Sequence, residues 1–338
     1  MAHRWDPIAP TVTGLVRPAP VDPTGACGPT RGESIGPSWR RTSPGLFVEA
    51  RITDELVEQR ILEAYAGAGD TAVVTGWASL RLQGGGHFDG LERDGRTRQP
   101  VPIAVDGGRV RPAPGRLIVR HTVPPDEIIV VHGIRCARTE RALFDEMRLR
   151  QSDPREMAVA ADSAFAAQLT SLRRMRRYIA TRRWYRDKRI VDRGLDLAAE
   201  GSRSPQEGRF RIVWEVDAGW GRPLLNREVF DDCGILVGIP DLLDPRRGVA
   251  GEFAGGGHRE PEQHEADVGR AAGFRRVGLE VVEVVGRDLR HRQLIVARMG
   301  QAESRARLVP QTWVLGPPPS PTLDEILDAR DAKDRGIG

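Results

Sequence analysis

The sequence predicts an α/β protein in two folded parts: an α+β region over residues 46–200, then a three-layer domain with a mixed sheet over 201–310, in the order αβββαβα. Three observations carry this. The second half runs helix, three strands, helix, strand, helix, and a crossover helix joins parallel strands. Helical periodicity stops at Gly201 and resumes after Ser204 with a fresh capping signal. Pro- and Gly-rich stretches bound the two parts, over 1–45 and again over 311–338.

At 338 residues the chain is long enough for two cores. Hydrophobic content of 39% and charged content of 29% are those of a globular protein. No apolar run approaches the ~18–20 residues of a transmembrane helix, and the start has no apolar signal-peptide core, so the expectation is a cytoplasmic protein that spans no membrane. Cys27, Cys136 and Cys233 are far apart with no CxxC pair, which implies neither a zinc site nor a disulfide framework.

Taken in order, residues 1–45 read as a poorly ordered or loosely docked arm, with Trp39, Arg40 and Arg41 as its anchors. DELVEQRILEAYAGAG places Leu56, Ile61, Leu62 and Tyr65 on one apolar face of a helix that Gly67 and Gly69 end. TAVVTGWASLRLQG follows, apolar and interrupted by Gly76. Strand-like pieces at 101–105, 117–123 and 127–132 predict a small mixed sheet. After Gly133 the pattern turns helical, with Thr139 as N-cap of ERALFDEMRLR. Helices near 154–169, 171–182 and 190–200 complete the first part.

In the second part Ser204-Pro205-Gln206-Glu207 has the form of a capping box, with Pro at the first helical position, and opens a helix through Phe210, Val213 and Trp214. A strand at 225–230, a hairpin, a helix at 261–277, a strand at 279–285 and a helix at 288–307 follow. The tail over 311–338 reads as a Pro-rich linker and a short charged helix without chemistry.

The hairpin, GILVGIPDLLDPRRGVAGEFAGGGH, holds the candidate chemistry. Apolar runs at 235–243 and 249–253 flank the turn Pro245-Arg246-Arg247-Gly248. If the turn closes symmetrically, Asp244 pairs with Val249 and Asp241 falls opposite Glu252, with Cβ atoms roughly 4.5–5.5 Å apart. Two carboxylates that close repel unless a divalent cation sits between them or one keeps its proton. The competing reading has Asp241 ending a strand, Glu252 solvated, and the register differing by one residue, which sends the two to opposite faces.

Charge is the second signal. The net charge is only +4 and the pI about 9.3, but of 51 basic residues only Lys188 and Lys333 are lysines. Arg173, Arg174, Arg176, Arg177, Arg182, Arg183, Arg186, Lys188 and Arg189 crowd one stretch, with Tyr178, Trp184 and Tyr185 interleaved. It is the candidate nucleic-acid surface. A solvated helical face over packed aromatics explains the same pattern.

The element order, together with SPQE, IPDLLD, GEF, the following GGGH and the Asp267-x-x-Arg270 pair, resembles the restriction-endonuclease-like PD-(D/E)xK superfamily. Within it the pattern is similar to the nuclease-like domain called DUF559 and to very-short-patch repair endonucleases, over 204 to about 300. The resemblance implies Glu207 as the helix carboxylate, Asp241 as the central metal ligand and Glu252 as the second, with His258 and Asp267 near the site. The position two after Glu252, commonly Lys in the superfamily and acidic in the nearest members, is Ala254. The basic group would then come from His258, Arg259 or Arg270. In the first part, VVTGWASLRLQG and HGIRCARTERALFDEM resemble abortive-infection (AbiEi-type) antitoxins that act as transcriptional regulators, without their N-terminal winged helix.

Three functions follow as expectations. One is a DNA endonuclease in which Asp241 and Glu252 hold Mg²⁺ or Mn²⁺, Glu207 completes the site and His258 assists. The second is a nuclease fold without chemistry that binds DNA, or a partner protein such as a cognate toxin, as a regulator. In the third the acidic set is structural.

Overall fold

The computed structural model describes residues 6–69, 71–107, 110, 113–150, 153–182, 187–255 and 271–336. It is an α/β structure with several mixed sheets, and the chain divides into two compact units: Met1–Asp153 with Ala167–Asp192, and Pro154–Ala166 with Arg193–Gly338.

The first unit opens with β1 Ala19–Pro20, β2 Trp39–Ser43 and β3 Leu46–Glu49, paired in the order β1-β3-β2. The described part of the N-terminal arm is therefore docked, against the expectation of a loose one. Its polar groups find partners: Gln59 exchanges two 2.9 Å hydrogen bonds with the backbone of Val16, and Arg40 pairs with Glu63 at 2.6 Å while also donating to the Ile52 carbonyl. Helix α1, Val57–Ala66, buries Ile61, Leu62 and Tyr65, whereas Leu56 sits exposed at its start, off the predicted apolar face.

The run after α1 splits into strand β4, Val73–Val74, and helix α2, Gly76–Leu82. With β5 Val101–Val105, β6 Arg116–Arg120, β7 Ile128–Val131 and β8 Ile134–Ala137, β4 forms a mixed sheet in the order β6-β5-β4-β8-β7. The pattern after Gly133 is thus a strand before it is a helix. His132 and Gly133 both have positive φ, the backbone a two-residue hairpin turn demands, and they fold β8 back onto β7. Helix α3, Thr139–Leu149, comes after this strand, and Thr139 does not cap it; its hydroxyl donates to Gln83 Oε1 at 2.7 Å.

Helices α4 Pro154–Ala166, α5 Leu172–Thr181 and α6 Lys188–Leu197 follow. The sequence assigns α4 to the first part, but it belongs to the second unit. It lies against α7, Pro205–Ile212, which runs on as a π-helical turn, Val213–Asp217. Ion pairs join them: Asp162 to Arg211 at 2.9 Å and Glu156 to Arg209 at 2.7 Å. The boundary near 200 misses this because charged partners some 50 residues apart leave no local periodicity.

The rest of the second unit comprises β9 Leu224–Leu225, β10 Val229–Phe230, β11 Leu236–Gly238, β12 Leu242–Asp244, β13 Val249–Ala254, a helical stretch at 271–276, β14 Glu280–Val285, α8 Arg292–Ala306, β15 Val314–Leu315 and α9 Leu323–Asp334. The main sheet has the order β14-β13-β12-β9, with β13 and β14 parallel. One face packs on Phe210, Trp214, Ile295 and Met299; the other packs on Phe274, Val277 and Leu279. Gly251 lets α7 approach, because a Cβ there would meet the Phe210 ring at 2.8 Å.

Two predicted strands are broken. Asn226 takes a left-handed φ of 49°, so 225–230 becomes β9 in the main sheet and β10 in a second sheet of order β11-β10-β15. The first arm of the hairpin divides likewise into β11 and β12 around Pro240. The tail is more than a linker: β15 pairs with β10, and α9 begins with a capping box between Thr322 and Glu325 and buries Leu327. Among the described residues no helix is long and apolar enough to cross a membrane.

Candidate functional site

The hairpin turn closes as its residues dictate. Asp244 Oδ1 accepts the N–H groups of Arg246 and Arg247, Gly248 takes positive φ, and Asp244 pairs with Val249. From there Leu243 faces Ala250 and Leu242 faces Gly251, where the pairing ends; continued by one step, that register would set Asp241 opposite Glu252. Asp241 itself lies at a bend before β12, and its Oδ2 accepts the Phe253 N–H at 2.7 Å. A side-chain carboxylate thus takes a strand N–H where the β12 backbone stops, which is the strand-ending role.

Glu252 has a second acidic neighbour. In the parallel ladder it is the Cα partner of Glu283 on β14, and in-register residues of neighbouring strands share a face. By alternation this is the face of Ala250 and Val281, and Ala254 lies on it too. Glu283 is exposed and Glu252 half-buried.

Glu207 starts α7, which packs on the opposite face of the sheet. Ser204 caps the helix by accepting the Glu207 N–H at 3.2 Å. The reciprocal half of the expected capping box is displaced by one residue, since Glu207 Oε2 accepts the N–H of Arg203, at 2.8 Å, rather than that of Ser204. The same Oε2 accepts from Asn226 Nδ2 at 3.3 Å. Asn226 in turn donates its backbone N–H to the Asp241 carbonyl at 3.2 Å and its side chain to the Gly201 carbonyl at 2.8 Å. Among the described residues, Glu207, Asp241 and Glu252 do not bring three ligand atoms within 4.8 Å of one another. The group that does, Asp231, Asp232 and Cys233, is a turn between β10 and β11 in which Asp231 Oδ1 accepts the N–H groups of Cys233 and Ile235.

As donors, Asp241 and Glu252 fit Mg²⁺, a hard cation that takes one or two carboxylates and keeps several waters. His258, Arg259, Asp267 and Arg270 lie outside the described residues, as do Arg183, Trp184, Tyr185 and Arg186.

The basic stretch sorts by burial. Ser171 caps α5 by accepting the Arg174 N–H, and Met175 and Ile179 face inward. Tyr178 stacks edge-on against Phe144 and donates its hydroxyl to Glu127. Arg182 pairs with the same Glu127 and lies over the Tyr178 ring. Arg173, Arg176, Arg177 and Arg189 are exposed, while Arg174 and Lys188 are half-buried. Packed aromatics beneath an exposed arginine face are both present, and Arg182 belongs to the packed side.

A buried ionic network in the first unit went unseen in the sequence. Asp145 accepts from Thr75 at 2.7 Å, Arg141 at 3.0 Å and the His121 ring at 3.1 Å, and Arg141 also reaches Glu127. Burial pushes the Asp145 carboxyl up, but His121 and Arg141 outweigh it and hold it below its ordinary value. Glu146 accepts the Trp77 N–H at 2.8 Å, satisfying the first turn of α2 from α3. These bonds tie TGWASLRLQ to ARTERALFDEM.

Fold and geometry together define an α/β protein whose second unit presents carboxylates along one mixed sheet. No protein-family model, curated protein or solved structure among those compared matches the chain. The sequence reading passed over Glu283 and Asn226. A charged residue amid the apolar run LEVVEVV signals the first; nothing local signals the second.

Proposed function

We propose that this chain is a cytoplasmic, metal-dependent endonuclease-like protein that hydrolyses DNA phosphodiesters, with Asp241 and Glu252 as Mg²⁺ or Mn²⁺ ligands. The observation that carries the reading is the pairing of β12 with β13, whose register, continued one step past Leu242, would bring Asp241 level with Glu252. It agrees with the resemblance of SPQE, IPDLLD and GEF to DUF559-like members of the PD-(D/E)xK superfamily. The metal, when bound, lowers the pKa of its water and offsets charge on the phosphate. The chain's own part is to hold the ligands: the Phe253 N–H fixes Asp241, the β14 neighbour Glu283 adds negative charge beside Glu252, and Glu207 stands anchored through Oε2. His258 is the candidate for proton transfer.

Ala254 favours a second reading, in which the same fold binds DNA without cutting it, as a regulator or the partner of a toxin. It puts a methyl group on the face of Glu252 where a lysine commonly orients water. The exposed Arg173, Arg176 and Arg177 serve either reading as phosphate contacts.

Cleavage of supercoiled plasmid separates the two. The nuclease reading expects Mg²⁺-dependent nicking that Asp241→Ala abolishes, and a gain of at least about tenfold in Ala254→Lys or Ala254→Asp, the floor of general acid or base assistance. Activity no greater than that of Asp241→Ala in all of these proteins, with salt-sensitive DNA retardation by the wild type, leaves only the binding reading.

A further inference from the structure

Helix α5 has two unlike faces. Met175 and Ile179 are buried, whereas Arg173, Arg176, Arg177, Ala180 and Thr181, which follow the i, i+3, i+4, i+7, i+8 spacing of one helical face, are all exposed. That face carries three arginines and then two small residues toward its C-terminal end, and α5 contains no acidic residue. Thr181 keeps its end of the face low by folding its hydroxyl back onto the Tyr178 carbonyl at 2.8 Å. Both ends of the helix are held. Ser171 caps the start through the Arg174 N–H, and the buried Glu127 anchors the far end by accepting the Tyr178 hydroxyl and pairing with Arg182.

Charge and shape select the partner. A bilayer takes up an amphipathic helix by its apolar side, and here that side lies in the core. A protein interface centres on apolar or aromatic anchors, and the exposed face of α5 offers none. Single strands bind by stacking bases on aromatic rings; Tyr178, the aromatic of α5, is packed edge-on against Phe144 with Arg182 over its ring. A duplex fits what remains. The 10 residues of α5 span about 15 Å. The major groove of B-DNA admits a helix, whereas side chains cannot read the narrow major groove of A-form RNA. Small residues beside the arginines let the helix backbone come near the groove floor, where a guanidinium can donate two hydrogen bonds to guanine O6 and N7.

We infer that the exposed face of α5 enters the major groove of double-stranded DNA and reads guanine through its arginines, with Ala180 and Thr181 allowing the close approach. This deepens the DNA part of the reading above, in which the same arginines contact phosphates, and rests on that part alone; it needs no metal.

The test is selection from a pool of short duplexes with randomised centres, by the full chain in EDTA so that no metal chemistry enters. Wild type should enrich guanine-containing sites. The combined variant Arg173→Lys, Arg176→Lys, Arg177→Lys keeps the charge but loses the planar fork. Its preference for the selected duplex over the pool should fall at least about fivefold, the low end of what one bidentate pair discriminates, while its salt-sensitive binding to the pool persists. Ala180→Trp should weaken the selected duplex more than the pool. On the unmutated protein, replacing the selected guanines by 7-deazaguanine, which removes N7 and leaves base pairing intact, should weaken binding; equal affinity for that duplex overturns the inference without relying on any variant's folding. Retardation of the pool without enrichment, or an undiminished preference in the lysine variant, means phosphate contact alone and also overturns it. Failure to bind any duplex overturns the inference and the DNA reading together, whereas selective binding in EDTA without plasmid cleavage in Mg²⁺ supports the inference and sinks only the nuclease reading.

Discussion

Asp145 in the first unit and Glu207 in the second are both buried, at 2% and 9% exposure, and each accepts more than one hydrogen bond. Their donors differ in charge. Arg141 and His121 contact Asp145, with Arg148 at 3.7 Å, while among the described residues Glu207 accepts from a backbone N–H and an amide. A buried carboxylate matched by guanidinium is neutralised and locks packing, as here it locks α3 to the strand and helix before it. A carboxylate held by neutral donors has no such counter-charge beside it. The contrast sets a carboxylate that ties elements of the first unit together through ion pairs against one that neutral donors hold in the second.

The largest expected effect breaks the contrast on the first side. Arg141→Leu strips the cation from between Asp145 and Glu127, and leaving buried charge uncompensated costs about 3–5 kcal/mol. Urea unfolding should show that loss, with Glu207→Gln far smaller. Comparable losses in the two variants would dissolve the distinction.

Next in size is the dependence on pH, where two buried aspartates have opposite signs. Asp145 is held below its ordinary value, so the stability it contributes is present above about pH 4 and lost as pH falls through its lowered folded pKa. Asp162 differs because burial raises its carboxyl to about 6, Arg211 offsetting this only in part while it also serves Glu215. A raised acid binds its proton more tightly when folded. Its contribution is therefore complete below pH ~4 and declines as pH rises from there to about 6, with a slope of at most ~1.4 kcal/mol per unit. Denaturation between pH 4 and 7 should show the decline in wild type and its absence in Asp162→Asn; identical profiles would remove Asp162 as its source.

The smallest effect sharpens the second side. Ser204→Ala removes the side-chain acceptor for the Glu207 N–H and should cost about 0.5–2 kcal/mol in thermal or urea unfolding. An unchanged midpoint would mean that the Ser204 hydroxyl does not hold the start of α7.

Several features were legible because their causes are local. Pro245 to Gly248 is a turn whatever surrounds it, and a turn with apolar arms determines the pairing of Asp244 with Val249. Ser204 and Pro205 start a helix from their own capping hydroxyl and fixed φ. The helical pattern between β13 and β14 supplies the crossover that a parallel pair needs, and the pair is parallel. What tertiary structure alone decided lies across long separations. Glu252 meets Glu283 because a parallel strand arrives after the crossover over 255–279, α4 joins the second unit through Arg211, and 134–137 is a strand because β7 pairs with it rather than by its own periodicity. Asn226 is the plainest case: one left-handed residue breaks a predicted strand, divides it between two sheets, and donates to both Glu207 Oε2 and the Asp241 carbonyl. Local sequence encodes the preference of each residue for a backbone state, but which distant donor meets which carboxylate is settled only when the sheet and its helices close around them.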